Sequence, residues 1–143
     1  MTAIALDTSA IIAILRNEPE RDRFVEAILA ASPRLMSAVS LQEAGMVIAG
    51  RHGDEAMWEP LDALLARLDV EIVTHDALLA RIARMAFLRF GKGRHSARLN
   101  FGDCASYALA KAHGVPLLFK GEDFAQTDIA SADRQSSTFS LSG

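Results

Sequence analysis

Four acids in this 143-residue chain stand where a fold can gather them. Asp7 follows the apolar run Ile4-Ala5-Leu6, and Glu43 ends the phrase Ser40-Leu41-Gln42-Glu43. Asp103 closes Leu99-Asn100-Phe101-Gly102-Asp103, and Asp123 comes shortly after the apolar stretch Val115–Phe119. Separated carboxylates drawn to one place suit a divalent cation. Mg²⁺ and Mn²⁺ take oxygen ligands, keep several waters and need only one or two carboxylates directly. Such an ion activates water and stabilises the leaving oxygen in phosphodiester hydrolysis. Without a cation, close acids repel one another and any polyanion. No Cys/His zinc spacing competes, and neither a Walker loop nor a G-x-S-x-G elbow occurs. His52, His75, His95 and His113 are scattered and read as surface or structural residues.

Each acid also has an ordinary explanation. Asp7 can cap a helix beginning at Thr8 or Ser9. Ser40-x-x-Glu43 has capping-box spacing, which needs no chemistry. Asp103 can complement a helix dipole, and Asp123 can belong to a Gly-Glu-Asp turn. The combination favours chemistry, because all four would otherwise meet on one edge by accident.

The elements that must position these acids alternate between strand and helix. Ala3–Leu6, Leu35–Val39, Val70–Val73 and Val115–Phe119 read as short buried strands. Helical spacing marks Thr8–Leu15, Glu18–Ala31, Ser40–Ala49, Asp54–Leu68, His75–Phe90 and a helix from Asp103. Ser32-Pro33 stops the second of these. This alternation predicts an α/β fold, a central and mostly parallel β-sheet flanked by α-helices. In open sheets of this kind, ligands bind outside the carboxyl ends of the strands. Asp7 and Asp123 belong on that edge, as do the helix starts that carry Glu43 and Asp103.

Length and composition fit one domain with a real core, here residues 1–135, followed by a Ser-rich tail over 136–143 expected to be loosely held. Half the residues are apolar, which excludes a disordered chain, yet no apolar run is long enough to span a bilayer. The start lacks a basic segment followed by an apolar one, so no signal peptide is expected. The single cysteine, Cys104, agrees with a reducing cytoplasm. Although the net charge is −3, the stretch between Asp76 and Asp103 holds no acid and six cations: Arg81, Arg84, Arg89, Lys92, Arg94 and Arg98. Its loop, Gly91-Lys-Gly-Arg-His-Ser, suits a polyanion's phosphates, although a solvated helix face and polar loop explain it as well.

Leu6-Asp7-Thr8-Ser9-Ala10, Ser40-x-x-Glu43, Leu99-Asn100-Phe101-Gly102-Asp103-Cys104 and Leu117-Leu-Phe-Lys-Gly-Glu-Asp123-Phe together resemble the PIN-domain ribonucleases. The resemblance runs from about Ile4 to Ile129 and is specifically to the VapC toxins of bacterial toxin–antitoxin pairs. It implies a single PIN-like domain in which Asp7 and Asp103 are the principal Mg²⁺ ligands, with Mn²⁺ a substitute. Glu43 and Asp123 would act through water and complete the catalytic set. Thr8 or Ser9 would position the first carboxylate, and Asn100 would contact substrate or a neighbouring acid. Apart from the resemblance, the basic loop adds Lys92, Arg94 and Arg98 as candidates on the substrate side. Asp128 matches an acid that some relatives carry near the pocket, and although Glu122 stands beside Asp123, the spacing to Phe124 favours Asp123 for the last position.

The implied activity is a Mg²⁺-dependent endoribonuclease that cuts tRNA, rRNA or mRNA and so stops translation. The implied partners are the RNA substrate, a VapB-like antitoxin and a second copy of the chain, with a larger heteromer when antitoxin is bound. Two other readings share the same residues: a PIN nuclease of RNA maturation, and a catalytically silent module that binds RNA or protein. A phosphatase of the haloacid dehalogenase kind also opens with a strand and Asp, but it needs a second Asp where Ser9 stands.

Overall fold

Alternating side chains along each strand divide the core into two layers. Ile4 and Leu6 face one layer with Met36 and Leu118, while Ala5 faces the other with Leu35 and Leu117. The strands are β1 (Ile4–Leu6), β2 (Arg34–Ser37), β3 (Val70–Val73) and β4 (Leu117–Leu118). In the computed structural model, which describes residues 1–133, they form one parallel sheet in the order β3-β2-β1-β4. The Ser-rich stretch 136–143 lies outside the described residues.

The helices are α1 (Thr8–Leu15), α2 (Arg21–Leu29), α3 (Ala38–Ala49), α4 (Glu59–Arg67), α5 (Ala77–Phe90) and α6 (Phe101–His113). The first core layer gathers Ile11 and Ile14 of α1, Phe24 and Ile28 of α2, and Leu61, Leu64 and Leu65 of α4. The second gathers Ala86 and Phe90 of α5 with Tyr107, Leu109 and Ala110 of α6. Burying a Leu or Phe of this kind contributes about 2–3 kcal/mol. Both faces of the sheet are therefore covered, as a parallel sheet requires.

Several boundaries differ from the sequence reading for local reasons. Ser37 accepts a hydrogen bond from the Val39 backbone N–H at 3.1 Å, so Ala38 and Val39 enter α3 and do not extend β2. The last strand shrinks to two residues. Pro116 has no N–H to offer, and the Val115 N–H is already bonded to Ala110 O at 3.0 Å. The stretch from Asp54 opens as a 3-10 turn at Glu55–Trp58 before α4, with Pro60 in the first turn of that helix. Asp76 caps α5 through the Leu79 N–H, so His75 stays outside it. Among the described residues, no helix is long and apolar enough to cross a membrane.

The chain steps from β1 through β2 to β3 on one side, then returns to place β4 on the other flank of β1. The reversal leaves a crevice at the carboxyl ends of β1 and β4, where α/β sheets bind their ligands. Asp7 directly follows β1, and Asp123 follows β4 after four residues.

Candidate active site

Asp7 is the N-cap of α1, and it is buried. Its Oδ2 accepts from the Ser9 N–H at 3.0 Å and from Ser9 Oγ at 2.6 Å. Its Oδ1 accepts from Ser106 Oγ, on α6, at 2.5 Å. The capping explanation and the acid-cluster explanation therefore hold for the same carboxylate.

Asp103 sits in the first turn of α6, where Asn100 is the N-cap. Asn100 Oδ1 accepts from the Asp103 N–H at 2.8 Å, and Asp103 Oδ2 accepts from the Asn100 N–H at 3.0 Å. This reciprocal pair is a capping box. It fixes Asp103 while leaving Oδ1 without a protein hydrogen bond.

The box expected at Ser40-x-x-Glu43 is not formed, because Ser37 caps α3 three residues earlier. Ser40 instead turns into the interior, and its hydroxyl meets Ser106 Oγ at 3.1 Å. Glu43 falls in the second turn and is released from any capping duty. Its Oε1 accepts from Thr8 Oγ1 at 2.7 Å. The carboxylate lies so close to the start of α6 that a Cβ on Gly102 would come within 2.6 Å of Oε1 and nearer still to Oε2. A side chain there would push the Glu43 carboxylate aside.

Burial pushes the Asp103 carboxyl up to about 7. The Asn100 N–H pulls the other way, and the charges of Asp7, Asp123 and Glu43 add to the rise. The other three acids named from sequence thus all lie close enough to act on Asp103. Asp123 is exposed at the mouth, while Glu122 lies along a separate polar cavity with Glu20, Arg23 and Lys120. That placement separates the two neighbours in favour of Asp123. Among the described residues, no group of three His, Cys, Asp or Glu side chains is already close enough to enclose a metal. The donor set nevertheless fits a hard cation. All four are oxygen donors, and Mg²⁺ needs few of them directly. The residues that would hold it are Asp7 and Asp103, with Glu43 and Asp123 beside them.

Asp128 has another task. Burial works against its charge, but hydrogen bonds from Lys111 (2.8 Å) and Tyr107 (2.6 Å), with the Lys111 and Arg89 charges, hold its carboxyl below the usual range. It ties the chain after β4 to α5 and α6. Thr8 and Ser9 are committed to Glu43 and Asp7, and Ser9 Oγ also accepts the Lys120 N–H at 3.0 Å. Lys92, Arg94 and Arg98 are exposed in the loop between α5 and α6. An open groove of about 580 Å³ runs from Glu43 along Gln42, Met46 and Val47 to Asn100 and Phe101. Its apolar rim includes Phe101, which is 78% exposed. The sequence alone assigns no role to Ser106 or Gly102. The signal for Ser106 was a hydroxyl three residues after Asp103 on an otherwise apolar helix face.

The model of the PIN domain family matches residues 4–130. The chain is 50% identical over 127 residues to the VapC ribonuclease Mb0640 of Mycobacterium bovis, covering 89% of this chain and 96% of that one. It is 49% identical to the ribonuclease VapC of Mycolicibacterium smegmatis, covering 89% and 98%. Among solved structures, the Mycobacterium tuberculosis VapC20 toxin superposes with a TM-score of 0.64 at 22% identity, covering 89% and 96%. A VapBC2 structure from Rickettsia felis gives 0.69 at 18% identity, covering 91% and 96%. The acids gathered at the β1/β4 crevice thus lie within a match that takes in nearly every described element, and the chain belongs to the PIN-domain family, among its VapC-type ribonucleases.

Proposed function

We propose that this ribonuclease is a Mg²⁺-dependent endonuclease and the toxic component of a toxin–antitoxin pair, acting in the cytoplasm on tRNA, rRNA or mRNA to stop translation. The observation that carries the reading is Asp103, held near neutrality by burial and by three other acids at the β1/β4 crevice. Such a cluster is costly in a protein that merely folds. It is useful where a cation and a phosphodiester are to be held together. When bound, Mg²⁺ supplies activated water and neutralises charge on the scissile phosphate.

The chain's own groups do the positioning. Asp7 and Asp103 present oxygens fixed by the α1 cap and the α6 capping box. Thr8 aims Glu43. Asp123 at the mouth faces incoming solvent. Lys92, Arg94 and Arg98 contribute phosphate contacts from the adjoining loop, which favours a flexible, single-stranded RNA path over a rigid duplex. Asn100, on the groove, keeps its amide nitrogen available to substrate after its oxygen has capped α6.

The partner reading follows the same surfaces. Similar structures include VapBC complexes from Rickettsia felis and Salmonella typhimurium. A VapB-like antitoxin that lays an apolar segment in the groove beside Glu43 and offers a cation to the acids would block the site. Exposed Leu78, Met85 and Leu88, one stripe of α5, supply apolar surface for a homodimer.

The test is cleavage of total RNA by antitoxin-free protein with Mg²⁺ or Mn²⁺. Discrete fragments bearing 5′ phosphates, lost in Asp7→Asn and Asp103→Asn and with EDTA, support the reading. Folded variants that cut as wild type does would leave the acids structural. RNA binding without cleavage would point to a silent module.

A further inference from the structure

We propose that Ser106 is a positioning residue for Asp7, and that Ser40 and Ser106 form a buried hydroxyl chain that orients the Asp7 carboxylate for the cation. The inference rests on Asp7 being a metal ligand, as argued above. Neither Ser40 nor Ser106 has any exposed surface, and they come from different helices, α3 and α6. Their hydroxyls are 3.1 Å apart, and Ser106 Oγ lies 2.5 Å from Asp7 Oδ1.

The direction of each hydrogen bond follows from donor counting. An ionised carboxylate only accepts, and a serine hydroxyl has one proton. Ser106 therefore donates to Asp7, which leaves its oxygen free only to accept. Ser40 then donates to Ser106. A matching chain serves the other oxygen: the Lys120 N–H donates to Ser9 Oγ, and Ser9 donates to Asp7 Oδ2. Oδ2 also accepts the Ser9 N–H, so both its lone-pair directions are used. Oδ1 accepts only from Ser106 and keeps one direction open. Ser106 thus sets the rotation of the carboxylate and, with it, where the remaining acceptor points.

Cys104 and Ala105 precede Ser106 on α6, and neither offers a strong donor. Oxygen partners one step removed from a metal are worth 10- to 100-fold in affinity in sites of this kind. The two serines differ in proximity, so their effects should be graded. Ser106 acts on Asp7 directly, whereas Ser40 acts only on Ser106.

The experiment is Mn²⁺ binding to EDTA-stripped, antitoxin-free full chain, followed by calorimetry and by the electron paramagnetic resonance of free Mn²⁺. Wild type, Ser106→Ala, Ser106→Cys, Ser40→Ala and Asp7→Asn are compared, with thermal melts of each metal-free protein. The expected result is affinity about 10-fold or more weaker in Ser106→Ala, an intermediate loss in Ser106→Cys and less than about threefold in Ser40→Ala. Should Ser106→Ala fail to fold, Ser106→Cys, close to serine in size and a weak donor, carries the same comparison. Wild-type affinity in the folded Ser106 variants beside a clear loss in Asp7→Asn would overturn the proposal and leave the metal-site reading intact. Equal losses in the Ser40 and Ser106 variants, tracking equal falls in melting temperature, would overturn it in favour of a simple α3–α6 brace. Wild-type affinity in Asp7→Asn would remove the metal-site reading itself, and the proposal with it.

Discussion

Replacing Asp103 by Asn should make the metal-free protein more stable above neutral pH while abolishing cleavage. In the folded chain the Asp103 carboxyl keeps its proton up to about 7, against an ordinary value of 3.8 for the unfolded chain. Between those values the folded state binds more protons, so stability is fully present below about pH 4 and falls as pH rises to about 7. A gap of about 3 units is worth at most about 4 kcal/mol. Asp103 is only partly buried, and solvent screening lowers the working figure to about 2 kcal/mol. For a domain of this size that is about 6 °C in melting temperature. The asparagine side chain is isosteric with aspartate, and its oxygen can still accept the Asn100 N–H, so the α6 cap survives. The assay is thermal melting of EDTA-stripped wild type and Asp103→Asn from pH 4.5 to 8. The variant should gain over wild type from pH 4.5 to about 7 and hold that gain above it, and added Mn²⁺ should restore wild type far more than the variant. A difference independent of pH, or a variant less stable at pH 8, would refute the coupling of the acids.

Gly102→Ala should separate site geometry from folding. Ala is the better helix former by about 1 kcal/mol, so the melting temperature should hold, while the displaced Glu43 carboxylate costs about 10-fold or more in cleavage rate. Wild-type cleavage by Gly102→Ala would show that Glu43 has room to spare. Asp128→Ala should do the opposite. It strands the Tyr107 hydroxyl and frees Lys111, lowering stability by about 1–2 kcal/mol in urea titrations, with cleavage per folded molecule unchanged. The loss should appear above the ordinary aspartate range and vanish as pH falls through the depressed Asp128 value, where wild type too loses the charge. Neutralising Lys92, Arg94 and Arg98 together should weaken single-stranded RNA binding and flatten its salt dependence by about 0.7 per lost contact, read from filter binding at several salt concentrations. An unchanged slope would place the RNA on another face.

Local chemistry explains what was legible in the chain before its fold was known. Short apolar runs broken by Asp7 and by Gly121-Glu122-Asp123 mark strand ends because the punctuation is in the sequence itself. The strand–helix alternation then dictates a parallel sheet, and a parallel sheet sends its strand ends to one edge. Asp7, Asp103 and Asp123 meet there for that reason. Asn100 and Asp103 stand at capping-box spacing, and the one carboxylate serves both the cap and the acid cluster.

What only the tertiary structure decided depends on how helices pack. The sequence starts this helix at Ser40, whereas in the fold Ser37 caps α3 and Ser40 turns inward to Ser106. Ser106 lies 99 positions from Asp7, and no local pattern measures that approach. The bare Cα of Gly102 lets a glutamate from another helix sit over it. Asp128 and Asp123 look alike in sequence, yet Tyr107, Lys111 and Arg89 capture the first, while the second helps raise the Asp103 carboxyl. Hydrogen bonds and charges act over a few ångströms, whereas sequence distance says nothing about which side chains fall within that range once the helices are stacked on the sheet.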